Sequence, residues 1–259
     1  MNEMLKKTHP LLVFFLGYAA FDLSSSIRFL GVFSETKFWL IFFHILSIVM
    51  LMTLCFLIVV YFKNKYSLDE FLVVATQEKN ICATVIGLVF VSFVVIINLA
   101  QFWSTISDYH LFVLKINDLS KLNFTPFIPT FNFFIKSLIF VPIAEEILFR
   151  GILQKYLANI MKKQHVLVPV AIASIAFAIV HWRFADIPYL FLCGILYGCI
   201  YYKTKKIIFP IVAHACWNLM NVLFATDLQP MGRDNSLAFF IFMIAFVILA
   251  SRLYRYKKS

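Results

Sequence analysis

The chain has 259 residues, of which 62% are hydrophobic and 14% charged, against about 25% charged in a typical soluble domain. That composition excludes a soluble globular enzyme and points to an integral membrane protein. The net charge of +10 does not mark a nucleic-acid binder, because the basic residues lie scattered at the ends of apolar runs instead of forming a phosphate-binding stripe.

A helix needs about 20 apolar residues to cross the hydrocarbon layer. On that criterion the chain is all-α and polytopic, with about eight transmembrane helices at 11–33, 38–62, 81–103, 127–149, 166–182, 187–202, 207–225 and 237–253. Lys6 and Lys7 precede the first apolar run, which continues past Asp22 and Arg28 to Phe33 without a small-residue cleavage site. It reads as an uncleaved first span, not as a secretory leader. Counting Lys and Arg by side, with Arg252 at the end of the last span taken with the basic tail, puts fifteen on the N-terminal side and five on the other, so both termini are expected in the cytoplasm. The five cysteines lie in apolar segments without CxxC spacing, which suggests neither a disulfide nor a thiolate metal site. The chain divides into residues 1–126 (three helices without a motif), 127–225 (four helices with the polar residues described next) and 226–259 (a last helix and a basic tail).

The fourth span carries Glu145, Glu146 and Arg150. Charges in lipid are costly and usually mark a pathway or a site. Glu146 and Arg150 are four residues apart, hence stacked on one helix face in the favourable order. Glu145 is turned by about 100° from Glu146. One carboxylate can therefore be neutralised while its neighbour faces another environment, the usual way to make one structural and one reactive.

The fifth span ends Phe177-Ala178-Ile179-Val180-His181-Trp182, and the seventh contains His214-Ala215-Cys216-Trp217-Asn218. His214 and Asn218 share a face; Asn218 has an amide to donate to an oxyanion, and His214 can bind metal or act as an acid. A glutamate with two histidines suits hydrolysis of a peptide bond: the carboxylate takes a proton from water, and the histidines hold either Zn²⁺ or the developing oxyanion. Two histidines and one glutamate meet the three-ligand count of catalytic zinc. The HExxH spacing of soluble zinc proteases is absent, so the pattern leaves metal and metal-free chemistry both open.

The segments Glu145-Glu146-Ile147-Leu148-Phe149-Arg150, Phe177-Ala178-Ile179-Val180-His181 and His214-Ala215-Cys216-Trp217-Asn218 resemble the EExxxR, FxxxH and HxxxN motifs of the CPBP family. That family comprises CAAX prenyl endopeptidases and bacteriocin-processing or self-immunity relatives, also called the Abi family. Arg150-Gly151-Ile152-Leu153 and the glycines Gly194 and Gly198 of the sixth span are similar too, so the likeness covers roughly residues 130–225. It implies an eight-helix intramembrane endopeptidase of the cell membrane, acting on a peptide or membrane-protein substrate near the cytoplasmic face. It further implies Glu145 as the base, Glu146 oriented by Arg150, His181 holding the water or metal, and His214 with Asn218 at the oxyanion. If a metal such as Zn²⁺ is used, Glu146, His181 and His214 are the ligands.

Depth is the awkward point. At helical rise Glu145 stands roughly 8 Å and His214 roughly 10 Å from the cytoplasmic ends of their spans, whereas His181 stands about 22 Å from position 166. For these groups to meet, the fifth span must begin inside the membrane near Pro169, or the fifth and sixth must form a shallow hairpin. His44, Asp22, Arg28 and Lys136 are further polar groups in apolar segments, best read as packing or snorkelling residues. Two other functions compete with a protease. One is a non-proteolytic scaffold for a sensor kinase or cell-wall enzyme, which has no need of both Glu145 and His214. The other is a proton-coupled transporter, which usually carries paired repeats and broken helices.

Overall fold

A computed structural model describes residues 8–26, 37–65, 77–107, 135–161, 165, 167–182, 186–224 and 236–255. Arg28 and the side chain of His44 lie outside the described residues.

Among the described residues the protein is all-helical. The helices are α1 (Pro10–Ser26), α2 (Lys37–Lys65), α3 (Gln77–Ser107), α4 (136–160), α5 (Leu167–Ile179), α6 (Ile187–Thr204), α7 (Ile208–Phe224) and α8 (Ser236–Arg255). One window, Ile45–Phe62 in α2, is by itself long and apolar enough to cross a bilayer; Pro10–Ser24, Ile81–Ile97, Leu167–Ile179 and Ile244–Leu253 are shorter apolar helices. The exterior is nonetheless that of a membrane protein. On α2, Ile45, Val49, Met52 and Phe56 are exposed at helical spacing, and on α8 so are Ile244, Val247 and Ile248. Continuous apolar stripes of this kind suit lipid and are avoided in water.

α4 is the central element. Every residue from Ala144 to Gln154 is buried, so this helix is packed all round instead of on one face. It is touched by α1, α2, α5, α6 and α7, while α3 packs on α6, α7 and α8. Its hydrogen bonding widens twice into π-helix, at Lys136–Phe140 and Ile147–Gln154, a distortion common at functional sites. The first is closed by the Val141 N–H donating to the Lys136 carbonyl, five residues back.

The largest departure from the expected spans is here. α4 runs on to Ile160, well beyond the span expected to end at 149. Charges normally stop a span, but Arg150 and Gln154 do not reach solvent. The Arg150 Nη2 donates to the Gly194 carbonyl at 3.1 Å and the Gln154 Nε2 to the Gly198 carbonyl at 3.1 Å. Both acceptors lie on α6, four residues apart, so one face of α4 is laced to α6 in parallel register.

The glycines make that approach possible. A Cβ at Gly194 would stand 2.9 Å from the Ser174 Cβ and 3.0 Å from its Cα, and one at Gly198 would stand 2.8 Å from the Val170 Cγ1. The small-xxx-small stripe thus lets α5 lie directly on α6, the usual device for close helix contact in membranes. At the opposite face, a Cβ at Gly151 would meet the Phe62 ring of α2 at 2.6 Å.

Lys136 is buried, with its Nζ on the Ser47 hydroxyl, which in turn donates to the Ser24 carbonyl. This chain of contacts ties the start of α4 to α2 and α1. Lys136 is therefore a packing residue held by partners inside the bundle.

Candidate active site

Three helices bring the site together. Glu145 and Glu146 come from the α-helical stretch Val141–Glu146 and Arg150 from the π-helical stretch that follows. Glu146 and Arg150 are completely buried. The Nε–Oε2 distance is 3.2 Å, and the Nη1 donates to Oε1 at 3.2 Å. The guanidinium is also sandwiched among rings, its Cζ 4.6 Å from the Phe177 centroid and 5.4 Å from that of Tyr197. A buried cation needs this much company, because an unpaired one is strongly destabilising.

His214, six residues into α7, points its Nδ1 at the Glu146 Oε1, 2.9 Å away. The carboxylate accepts, so the proton sits on Nδ1 and the Nε2 faces the other way, 3.9 Å from the Glu145 Oε2. The Tyr197 ring stacks on the imidazole with centroids 4.9 Å apart and planes 15° from parallel, which fixes the ring plane.

His181 follows the last residues of α5. Beyond Ile179 the helix tightens: the His181 N–H donates to the Ala178 carbonyl at 3.4 Å, the Trp182 N–H to that of Ile179 at 3.0 Å, and Trp182 turns left-handed at φ 54°. This is the αL ending common at helix C-termini, with an unusual residue in the strained position. The His181 Nδ1 donates to the Phe177 carbonyl at 2.6 Å, since a carbonyl only accepts. Its Nε2 therefore also faces Glu145, 3.9 Å from the same Oε2. Both histidines thus have their tautomer and orientation set by the partner of the far nitrogen, and both aim Nε2 at one carboxylate oxygen.

The depth problem resolves through the extension of α4. Glu145 is fifteen residues from the end of α4 and His181 fourteen from the start of α5. At helical rise these are roughly 22 Å and 21 Å from the connection between the two helices. They meet at one level because α4 continues past Arg150. α5 need not begin inside the membrane.

Asn218 stands elsewhere. Its Nδ2 donates to the Ser137 carbonyl at 2.8 Å, in the first π-helical stretch of α4. Among the described residues this is its one side-chain hydrogen bond. It acts as a tether between α7 and the start of α4, and among the described residues no side-chain hydrogen bond joins it to Glu145 or to either histidine.

The expected zinc ligands, Glu146, His181 and His214, do not converge. Glu146 is held on the Nδ1 side of His214, away from that ring's Nε2. Replacing it by Glu145 does not repair the set, because zinc bonds of about 2.0–2.2 Å in a tetrahedron hold donor atoms about 3.4 Å apart, whereas the two carboxylate–imidazole edges are both 3.9 Å. Among the described residues no group of three His, Cys, Asp or Glu side chains is placed to hold a metal ion.

Three aromatic residues matter more than the sequence reading allowed. Phe177, quoted in a motif but given no role, lies against Arg150, against His181 at 4.7 Å and against His214 at 6.0 Å. Tyr197 backs His214, and Tyr18 of α1 reaches the turn at His181. The available signal was the tyrosine hydroxyl in an apolar helix, which needs a partner when buried.

Comparison with known proteins covers the same part of the chain. The profile of the family described as Type II CAAX prenyl endopeptidase Rce1-like matches residues 127–220, a stretch that contains all six motif residues. The membrane-embedded CAAX protease MroQ of Staphylococcus aureus (strain USA300) is 32% identical over 100 residues, 38% of this chain and 40% of that protein. The matched stretch thus spans less than half of either chain. No solved structure matches. Residues 127–220, with their ordered glutamate-pair, histidine and histidine–asparagine motifs, are thus the part of the chain that is similar to CAAX-type intramembrane proteases.

Proposed function

We propose that this protein is a multi-pass endopeptidase of the bacterial plasma membrane that hydrolyses a peptide bond of a peptide or membrane protein, with water activated by Glu145. The observation that carries the reading is the placement of the Glu145 Oε2 at 3.9 Å from the Nε2 of both His181 and His214. That spacing is too long for direct hydrogen bonds, and it suits one water oxygen within reach of all three.

In the proposed step Glu145 takes a proton from water as the oxygen attacks the carbonyl carbon, and the two Nε2 atoms orient the remaining O–H. His214, whenever its Nε2 bears a proton, donates to the oxyanion. The protonated Glu145 then gives its proton to the departing nitrogen, leaving one new acid and one new amine. Glu146 does not touch the reacting atoms. It holds the His214 ring and is itself held by Arg150, so it positions the site.

Substrate approaches from the His181 side, where the side chain is 21% exposed against 7% for Glu145 and His214. With α4 extended to Ile160, the site lies at mid-depth along its helices, deeper than the cytoplasmic edge that the shorter span implied. A bacteriocin precursor, a signalling peptide or another short membrane-bound chain is the substrate class that fits.

The test is cleavage of quenched fluorescent peptides by the full chain in lipid nanodiscs, beside Glu145→Ala. Loss of cleavage with unchanged insertion supports the reading. Undiminished cleavage in the variant overturns it.

A further inference from the structure

Tyr18 sits in α1, in the N-terminal part of the chain that the family profile does not reach. Its hydroxyl donates to the Val180 carbonyl at 2.6 Å. The tyrosine hydroxyl thus binds the residue immediately before His181. The carbonyl of Val180 and the N–H of His181 belong to a single planar peptide unit. Fixing that carbonyl fixes the plane from which the histidine side chain departs.

The need for such a clamp is local. The last carbonyls of a helix lack intrahelical partners. At this end the Phe177 carbonyl is taken by the His181 ring, and the Val180 carbonyl by Tyr18. The turn also holds Trp182 left-handed, a conformation that persists only where surrounding contacts over-determine it. The ring of Tyr18 is itself seated, 6.3 Å from Phe149 of α4, next to the motif arginine.

We propose that Tyr18 is a positioning residue for His181, so that the N-terminal helix completes the site carried by α4, α5 and α7. This rests on the endopeptidase reading for its catalytic consequence, and on geometry alone for its structural one. α1 is thereby a part of the hydrolytic machinery and not only a lipid-facing wall.

The experiment is Tyr18→Phe in the full chain in nanodiscs, read in two ways. Nitrogen-15 NMR of labelled histidines should show the His181 ring signals displaced and those of His214 unmoved. In peptide cleavage, kcat should fall about tenfold, since misplacement by about 1 Å can cost up to about 100-fold, while KM stays within about twofold. In a His181→Ala background the same substitution should add nothing beyond about twofold, as a coupled pair requires. Unmoved His181 signals, or an undiminished effect without His181, overturn the proposal. Displaced signals in a protein that cleaves no peptide support the clamp and count against the protease reading instead.

Discussion

The Glu146 Oε1 and the His214 Nδ1 are 2.9 Å apart, and that one bond divides the labour of two adjacent carboxylates. By engaging the near nitrogen of His214, Glu146 turns the far nitrogen toward Glu145. Arg150 occupies the rest of Glu146, so this carboxylate is engaged by both a guanidinium and an imidazole.

The two glutamates should therefore fail differently. Glu145→Gln is expected to lower kcat roughly 100- to 10,000-fold, the usual worth of a general base, with little change in thermal unfolding. Glu146→Gln leaves the Arg150 guanidinium buried without its counter-charge, and should cost about 3–5 kcal/mol of stability. Unfolding curves and cleavage rates of the two purified variants decide the matter. Equal destabilisation by both would contradict the division.

Metal dependence is the second test. Because the donor atoms as placed do not form a zinc site, the purified wild type should carry well under one zinc per chain, and cleavage should survive a chelator. Metal analysis of wild type beside His181→Ala and His214→Ala checks this. One zinc per wild-type chain, lost in both variants, would sink the metal-free reading.

Glycine substitutions should rank by what they strike. Gly194→Ala drives a methyl group against the Ser174 Cα at 3.0 Å, which is backbone and cannot step aside. It should cost about 1–3 kcal/mol by overpacking and also disturb the Arg150–Gly194 bond. Gly17→Ala meets the Leu148 Cδ2 at 2.7 Å, the mobile tip of a side chain, and should be milder. Thermal unfolding in one detergent gives the order, and the reverse order would refute the packing argument.

Phe177→Leu keeps an apolar group of similar reach but removes the ring face under Arg150 and the edge contacts to both histidines. A desolvated cation–π contact is worth about 2 kcal/mol, so a loss near that size is expected, together with reduced cleavage. An unchanged melting temperature and rate would show that the ring serves only as bulk.

Much of this was legible in the residues themselves. Seven of the eight expected spans lie within a few residues of a helix, apart from the end of the first, which falls outside the described residues. Hydrophobic length is set by the solvent each segment must face, so it can be read locally. The pairing of Glu146 with Arg150 was legible for the same reason, being an i, i+4 relation on one helix.

The fourth span was not. Ending it at Arg150 followed the rule that charges stop at the membrane edge, and that rule fails when the charge is satisfied by another helix. The carbonyls of Gly194 and Gly198 that allow α4 to continue are forty-four residues away from Arg150 and Gln154. The same limit hid the tether of Asn218 to Ser137 and the reach of Tyr18 to Val180.

The sequence by itself determined that the chain is an apolar helical protein, which charged and histidine residues interrupt its apolar segments, and that Glu146 and Arg150 share one helix face. Only the tertiary structure decided which imidazole nitrogen faces Glu145, that Glu146 lies between Arg150 and the near nitrogen of His214, and that His181 reaches the depth of its partners. Those facts depend on hydrogen bonds between helices far apart in the chain. No local periodicity encodes them.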